Sequence, residues 1–179
     1  MRLLDQLWAG WRQSFIEGGG AQRDASGCVL CFLGASKETS LANFVLYRGE
    51  FNYVVLNAYP YAPGHMMVVP YLHLAELMEL REEAWRENAM LLRKCVAALG
   101  EAYQPGGYNV GANLGRAGGA AFDDHIHFHV VPRWIGDTNF MTSVASMRVM
   151  PESLPSAYRR LYPHFSTSLE VPEARTSRD

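Results

Sequence analysis

Three of the six histidines in this chain lie at alternate positions of one short segment, His125-Ile126-His127-Phe128-His129-Val130-Val131. In an extended strand, alternate side chains point to the same face, so all three imidazoles fall on one face and the apolar residues on the other. Neighbouring rings on that face start about 6–7 Å apart. This spacing suits a central imidazole nucleophile with a neighbour on each side, or a metal ion held by at least two of the rings.

A loop of small residues precedes the histidines, Asn113-Leu114-Gly115-Arg116-Ala117-Gly118-Gly119-Ala120-Ala121. Small side chains let the backbone approach a ligand closely, and its N–H groups can then cradle phosphate oxygens. A tight turn between two strands explains the same composition. No Gly-Lys-Ser or Gly-Lys-Thr follows the loop, which excludes a P-loop.

The pair Cys28-Val29-Leu30-Cys31 has three interpretations: a redox dithiol, half of a zinc site, or two buried thiols. A second such pair is missing from the sequence, so a zinc ion would need two other ligands. Gly34 follows where a redox motif usually begins a helix, which disfavours the first interpretation. Cys95 lies among leucines and valines of a helical pattern and is expected to be an inert core thiol.

The elements that must position these residues mix helices and strands without a βαβ rhythm, which predicts an α+β fold with an antiparallel sheet. Apolar periodicity predicts a short N-terminal helix and one long helix. Short β-rich or apolar runs, and alternation in the histidine segment, predict five strands. The helices are expected at Leu3–Ile16 and Leu72–Tyr103, and the strands at Asn43–Tyr47, Phe51–Asn57, His65–Val69, Tyr108–Leu114 and His125–Val131. Residues 1–165 are expected to form one domain, followed by a loose tail over residues 166–179.

The composition is that of an ordinary globular domain, with 179 residues of which 49% are hydrophobic and 19% charged. The net charge of −2 and the scattered arginines predict neither a nucleic acid nor a membrane surface as a partner. No apolar run approaches the roughly 20 residues of a membrane span, and the first residues lack the apolar core of a signal peptide. Three cysteines do not make a disulfide framework, so a cytoplasmic location is expected.

The pattern His125-x-His127-x-His129-Val130-Val131 resembles the signature of the histidine-triad (HIT) nucleotide hydrolases and transferases. The continuation from His129 to Trp134, with Gly136-Asp137-Thr138-Asn139-Phe140, is most similar to the diadenosine-tetraphosphate phosphorylase (ATP adenylyltransferase) branch. Further blocks extend the resemblance over roughly residues 3–165: Leu7-Trp8-Ala9-Gly10-Trp11-Arg12, Leu56-Asn57-Ala58-Tyr59-Pro60-Tyr61-Ala62-Pro63-Gly64-His65, Val68-Val69-Pro70 and Asn113-Leu114-Gly115.

The resemblance implies a HIT-like fold and a covalent reaction at the α-phosphate of nucleoside 5′-phosphate compounds, with dinucleoside polyphosphates such as diadenosine tetraphosphate as the expected substrates. His127 would attack the α-phosphorus, and His129 would hydrogen-bond the phosphoryl oxygens. The implied nucleotide contacts are Asn57 at the ribose and Asn113, Gly119, Ala120, Ala121 and His129 at the phosphate. Further candidates are Val55 as a contact of the base and Arg133 and Trp134 as contacts of the substrate. Each of these residues could equally well have a purely structural role.

The chain departs from the family at the phosphate loop, where relatives carry Ser, Thr or Gln and this sequence has Ala120 and Ala121. The departure removes a side-chain hydrogen bond worth about 0.5–1.5 kcal/mol, and more when the acceptor is a charged phosphate. It bears on the efficiency and the choice of substrate rather than on the reaction type.

The resemblance also completes the cysteine pair, because zinc-carrying relatives use two histidines at the positions of His73 and His125. It implies a structural zinc held by Cys28, Cys31, His73 and His125, and no organic cofactor. It further implies a homodimer that pairs two sheets and two long helices. The long-helix segment carries apolar residues suited to such an interface: Met78, Trp85, Met90 and Leu91.

Two other functions compete with the covalent mechanism at this stage. In a metal-dependent phosphohydrolase, His125, His127 and His129 would all bind a catalytic metal, and a chelator would abolish activity. In a non-catalytic nucleotide-binding module, which the alanines at 120 and 121 would suit, nucleotide would bind without turnover.

Overall fold

The computed structural model describes residues 27–119, 124–137 and 152–166. These residues contain five strands in one sheet of order β1-β2-β3-β5-β4, and each neighbouring pair is antiparallel. The antiparallel sheet and the α+β class predicted from the sequence are therefore confirmed. The strands are β1 (Val45–Arg48), β2 (Asn52–Leu56), β3 (Met66–Pro70), β4 (Gly107–Ala112) and β5 (Phe128–Arg133).

Four helices accompany the sheet: α1 (Val29–Ala35), α2 (Glu82–Tyr103), α3 (Leu154–Leu161) and α4 (Pro163–Ser166). Short 3₁₀ turns cover Leu77–Glu79 and Arg116–Gly118. None of the helices in the described ranges is long and apolar enough to cross a membrane. The predicted N-terminal helix at Leu3–Ile16 lies outside the described residues.

The two faces of the sheet have separate apolar cores, because alternate residues of each strand point to opposite sides. One face packs against α2 and α3 and buries Val54, Val68, Phe128 and Val130. The other face packs against α1 and buries Val55, Met67 and Val69. Since Phe128 and Val130 face α2, the histidines that alternate with them lie on the opposite face.

Arg48, the last residue of β1, holds α1 against the sheet. Its guanidinium donates hydrogen bonds to the carbonyls of Leu33 at 2.8 Å and Gly34 at 3.1 Å, near the C-terminal end of α1. The hydroxyl of Tyr53, on β2, donates to the carbonyl of Leu30 at 2.7 Å. The bonds from Arg48 satisfy carbonyls of the last turn, which have no intrahelical partner, and together with the bond from Tyr53 they fix the position of the cysteine pair.

The long helix was predicted to begin at Leu72, and this start is wrong, since α2 begins at Glu82. The segment before it is held by tertiary contacts instead of helical bonds. The carbonyl of Leu74 accepts a hydrogen bond from the N–H of Ile126 at 2.6 Å, and Glu76 and Glu79 cap the 3₁₀ turn reciprocally. This arrangement frees His73 to turn toward the cysteines.

The histidine segment also differs from its prediction, because the strand begins at Phe128 rather than at His125. The pairing with β3 starts at Phe128, opposite Val68, so the first two histidines precede the ladder. The alternation of faces persists through them nonetheless. Ile126 is buried in the same core as Phe128.

Candidate active site

The imidazole of His127 is oriented by the backbone of its own segment. Its Nδ1 lies 2.9 Å from the carbonyl oxygen of His125, which can only accept a hydrogen bond. The ring proton therefore sits on Nδ1, and Nε2 carries the electron pair that can attack. Burial lowers the pKa of His127, and the hydrogen bond to the carbonyl offsets part of that shift. The imidazole is consequently neutral at pH 7, which is the nucleophilic form.

His129 is oriented by a histidine from another part of the chain. His65 Nδ1 accepts a hydrogen bond from the N–H of Tyr61 at 3.0 Å, so the proton of His65 sits on Nε2. That Nε2 lies 3.0 Å from Nδ1 of His129 and donates to it. The proton of neutral His129 is therefore on Nε2, which makes this atom a hydrogen-bond donor.

The donor atom of His129 has no hydrogen-bond partner among the described residues, although it is buried. An orphaned buried donor costs about 1–3 kcal/mol, which indicates a position kept for a ligand acceptor. Burial, and secondarily the neighbouring His127, lowers the pKa of His129 to about 4. The rings of His127 and His129 are 4.9 Å apart, so a nucleophile and a neutral donor stand side by side.

His125 faces away from this pair and toward the cysteines. Its Nε2 lies 3.0 Å from the carbonyl of Pro70 and donates to it, which leaves Nδ1 as an electron-pair donor. Nδ1 lies 3.4 Å from the sulfur of Cys28 and 3.5 Å from that of Cys31. Burial lowers the pKa of His125 and keeps the ring in the neutral form that metals bind.

His73 completes a four-residue group that could hold a metal ion. Its Nδ1 lies 3.2 Å from the sulfur of Cys31, and the four candidate ligand atoms of Cys28, Cys31, His73 and His125 all lie within 4.8 Å of one another. Tetrahedral zinc with bonds of about 2.3 Å to sulfur and 2.0–2.1 Å to nitrogen separates its ligand atoms by about 3.5 Å. The observed sulfur–nitrogen distances fit that geometry, and two thiols with two imidazoles form a typical zinc donor set.

The phosphate loop is described only in part. Asn113 donates to the carbonyl of Gly119 at 3.5 Å, and Gly119 adopts a left-handed conformation with φ of +87°. Asn113 and His129 line the same cleft, so the structure brings together two of the predicted phosphate contacts. Ala120 and Ala121 lie outside the described residues.

Asn57 occupies a turn in which its amide already has partners. Its side-chain oxygen accepts from the N–H of Tyr59 at 2.8 Å, and its amide nitrogen lies 3.4 Å from Nδ1 of His65. These contacts are those of an asparagine that starts a turn, next to the hydrogen-bonded pair His65 and His129. Val55, the candidate base contact, is buried in the core that packs against α1.

Arg133 and Trp134 lie at the end of β5 and line the cleft that begins at His129. Arg133 pairs with both carboxylate oxygens of Asp137, at 2.6 and 2.8 Å, and also donates to the side chain of Asn109 at 2.7 Å. The ring of Trp134 meets that of Tyr103 edge to face, with centroids 6.4 Å apart.

His65 is the site residue that sequence reasoning did not single out. It lies 64 positions before His129, and no spacing rule connects the two. The available signal was its place after Pro63-Gly64, at the entrance to an apolar strand, where a histidine is buried to 1% exposure.

Comparison with known proteins agrees with this geometry. The model of the HIT domain family matches residues 38–134. The AP-4-A phosphorylase of Mycobacterium tuberculosis is 35% identical over 161 residues, which cover 88% of this chain and 83% of that protein. The adenosine 5′-monophosphoramidase of Schizosaccharomyces pombe is 32% identical over 99 residues, 55% of this chain and 71% of that protein.

Solved structures point the same way. A zinc-bound histidine triad family protein from Mycobacterium smegmatis superposes with a TM-score of 0.63 and 26% identity, over 79% of this chain and 94% of that chain. The fold and the relatives define a nucleotide-processing enzyme with a histidine triad. The chain belongs to the HIT family.

Proposed function

We propose that this protein transfers or hydrolyses the nucleotidyl group of dinucleoside polyphosphates, through a covalent nucleotidyl-histidine intermediate. The observation that carries the proposal is the pair of fixed tautomers: Nε2 of His127 holds an electron pair, and Nε2 of the adjacent His129 holds a proton. His127 attacks the α-phosphorus and displaces the polyphosphate of the second nucleotide. His129 donates to the phosphoryl oxygens as negative charge develops on them.

A second displacement completes the reaction, because a phosphoramidate is reactive enough to be cleaved again. The acceptor attacks the phosphorus, the bond to Nε2 breaks, and His127 returns as a neutral imidazole. Asn113 and the backbone at Gly119 are the proposed contacts of the α-phosphate, together with Ala120 and Ala121. Asn57 is the proposed contact of the ribose.

The geometry favours this mechanism over a metal centre built from the three triad histidines. Nδ1 of His125 faces the cysteines, while Nδ1 of His127 and Nδ1 of His129 are occupied by a carbonyl and by His65. Both nitrogens of His125 are thus directed at the cysteines and the carbonyl of Pro70, so this ring does not share a metal position with His127 and His129.

The test is rapid quench with a dinucleoside polyphosphate labelled at the α-phosphate. Label is expected on the protein as an acid-labile, base-stable adduct within the peptide from His125 to Arg133. His127→Gly is expected to bind nucleotide without forming the adduct, whereas His129→Ala retains measurable activity, because a single donor contributes about 10²–10³ in rate. Full activity of His127→Gly, or label on another peptide, would overturn the proposal.

We further propose that the group of Cys28, Cys31, His73 and His125 holds a structural zinc ion. The zinc-bound relative and the fit of the donor atoms support it. Such an ion ties α1, the segment before α2 and the histidine segment together, and no step of the reaction passes through it. The proposal includes a homodimer and a cytoplasmic location.

Orthophosphate is expected to compete with water as the acceptor. The likeness of Val131-Pro132-Arg133-Trp134 to the phosphorylase branch supports this prediction, and Thr138, Asn139 and Phe140 of the neighbouring block lie outside the described residues. Diadenosine tetraphosphate with millimolar phosphate should yield ADP and ATP, as read by chromatography. Exclusive formation of AMP and ATP under the same conditions would identify a hydrolase.

A further inference from the structure

A cleft of about 1080 Å³ begins at His129 and follows β5 past Val131 and Arg133, in the direction that leads away from His127. It reaches the C-terminal end of α2, where Tyr103 lines it, and the side of α3, where Arg160 of the last turn lines it. Pockets for small ligands measure roughly 300–1000 Å³, so this cleft holds more than one phosphate group. Its far end is available to the part of the substrate that leaves.

The guanidinium of Arg160 is held in a fixed plane at that far end. Its Cζ lies over the ring of Tyr103, 5.0 Å from the centroid, and its Nε donates to the Glu152 carboxylate at 3.2 Å. Glu152 is itself fixed by the hydroxyls of Tyr103 at 2.5 Å and Ser156 at 3.1 Å. The Arg160 side chain remains 51% exposed, so one face of the guanidinium packs on Tyr103 and the rest opens into the cleft.

The charges of the cleft favour a neutral ligand at this end over a polyphosphate. Arg133 is neutralised by its two bonds to Asp137, and Arg160 is paired with Glu152. The two arginines and two carboxylates leave no net positive charge to attract a phosphate chain. A planar guanidinium supported on an aromatic ring is instead a good surface for a stacked nucleobase.

We propose that Arg160, backed by Tyr103, binds the base of the second nucleoside of a dinucleoside polyphosphate, the nucleoside carried by the leaving group. This assignment rests on the proposed function, because it presumes attack at the α-phosphate beside His127. It makes Arg160 a specificity residue that distinguishes substrates with two nucleosides from substrates with one.

The experiment compares diadenosine tetraphosphate with adenosine 5′-tetraphosphate, which has the same phosphate chain and lacks the second nucleoside. Values of kcat/KM are measured for both substrates. The value for diadenosine tetraphosphate is halved, because either of its two identical ends can be attacked. The wild type is expected to prefer the dinucleotide by about tenfold, the factor that one stacked base supplies. Arg160→Met and Arg160→Lys should each remove most of this preference, with little change for adenosine 5′-tetraphosphate.

Arg159→Met is the matched control, since it removes the same charge from the neighbouring exposed position of α3. It should keep the wild-type preference. Dissociation constants of both ligands for His127→Gly, with and without Arg160→Met, repeat the comparison without turnover.

The outcomes separate the two proposals. Three results would overturn the second-nucleoside site while leaving the reaction in place. They are no preference in the wild type, an unchanged preference in both Arg160 variants, or an equal fall of kcat/KM for both substrates in those variants. An Arg159→Met effect equal to that of Arg160→Met would overturn it as well. Failure of the proposed function shows itself differently, as the absence of the His127 adduct with either substrate.

Discussion

The histidines of this site have different roles because each is held by a different hydrogen-bond partner. A carbonyl fixes His127 as an acceptor, His65 fixes His129 as a donor, and Pro70 turns His125 toward the cysteines. Identical side chains thus become a proposed nucleophile, a proposed phosphate donor and a proposed metal ligand. The tautomer, more than the residue type, determines the chemistry.

His65 is expected to act as a positioning residue for His129. Replacement by alanine removes the donor that fixes the His129 tautomer, so kcat should fall by up to about 10²-fold, as for loss of one oriented donor. KM should change less than kcat, because His65 has no proposed contact with the nucleotide and Asn57, which lies beside it, keeps its bond to the N–H of Tyr59. Nitrogen NMR of the His129 ring should show a mixture of tautomers in the variant. His164→Ala, which removes an imidazole from α4, is the control. A variant with wild-type kcat, or one in which KM alone rises, would contradict this role.

His129 is also expected to make the folded protein sensitive to acid. Its folded pKa of about 4 lies below the ordinary value of 6.5, so the unfolded chain binds the proton more readily. The contribution of neutral His129 to the free energy of unfolding is fully present above about pH 6.5. It is lost as the pH falls toward 4, by an amount on the order of 3 kcal/mol. Rings of His127, His65 and Tyr61 face this imidazole.

Urea unfolding at several pH values checks this expectation. His129→Gln, which cannot titrate, should show a shallower loss of unfolding free energy between pH 6.5 and 4 than the wild type. Equal slopes for the two proteins would assign the acid sensitivity to other groups.

At the scale of elements, the sequence predicted the face of each histidine but not the limits of the elements that carry them. Alternation of Ile126, Phe128 and Val130 with the histidines is a local property, and it holds although the ladder begins at Phe128. The start of α2 depends on the bond between Ile126 and Leu74, 52 positions apart, which periodicity does not report. The hydrogen bond between His65 and His129 also joins residues far apart in the sequence, so periodicity does not predict it either.

The four candidate metal ligands were predicted in two steps, and their proximity is a property of the fold. The cysteine pair by itself left three interpretations open, and the two histidines came from the family likeness. The structure brings all four residues together from three separate segments. The cysteines are at the N-terminal end of α1, His73 follows β3, and His125 precedes β5. Bonds from Arg48 and Tyr53 position the helix that carries Cys31.

We expect about one zinc ion per chain, and we expect its loss to affect stability more than chemistry. Cys31→Ser should lower the thermal midpoint by roughly 10 °C, since a lost ligand costs several kcal/mol and each kcal/mol shifts a domain of this size by about 2–4 °C. A chelator should destabilise the wild type and leave the variant unaffected. Cys95→Ala, a core thiol variant, should keep the response to chelator. Elemental analysis that finds no zinc in protein purified without chelator would contradict the site.

At the scale of the whole molecule, the sheet and α2 present surfaces suited to a second copy of the chain. Among the described residues, strand β4 is at one edge of the sheet and pairs only with β5, and Val110 is 49% exposed, so the outer backbone of β4 is a candidate for pairing. Met78, Trp85 and Met90 are exposed as predicted for an interface. Leu91 is different: it is buried in the core against the sheet and cannot contribute to that surface, which corrects the prediction for this residue.

The expected assembly is a homodimer of about twice the 20.0 kDa chain mass. Burial of exposed apolar side chains of the α2 region is the driving force, so a charge placed within that surface should weaken association. Met90→Lys should therefore shift light-scattering mass toward the monomer at micromolar concentration. Glu101→Lys, at another exposed position of the same helix, should remain dimeric. A wild-type mass near 20.0 kDa would refute the dimer, and a Met90→Lys protein that stays dimeric would move the interface away from α2 toward the β4 edge.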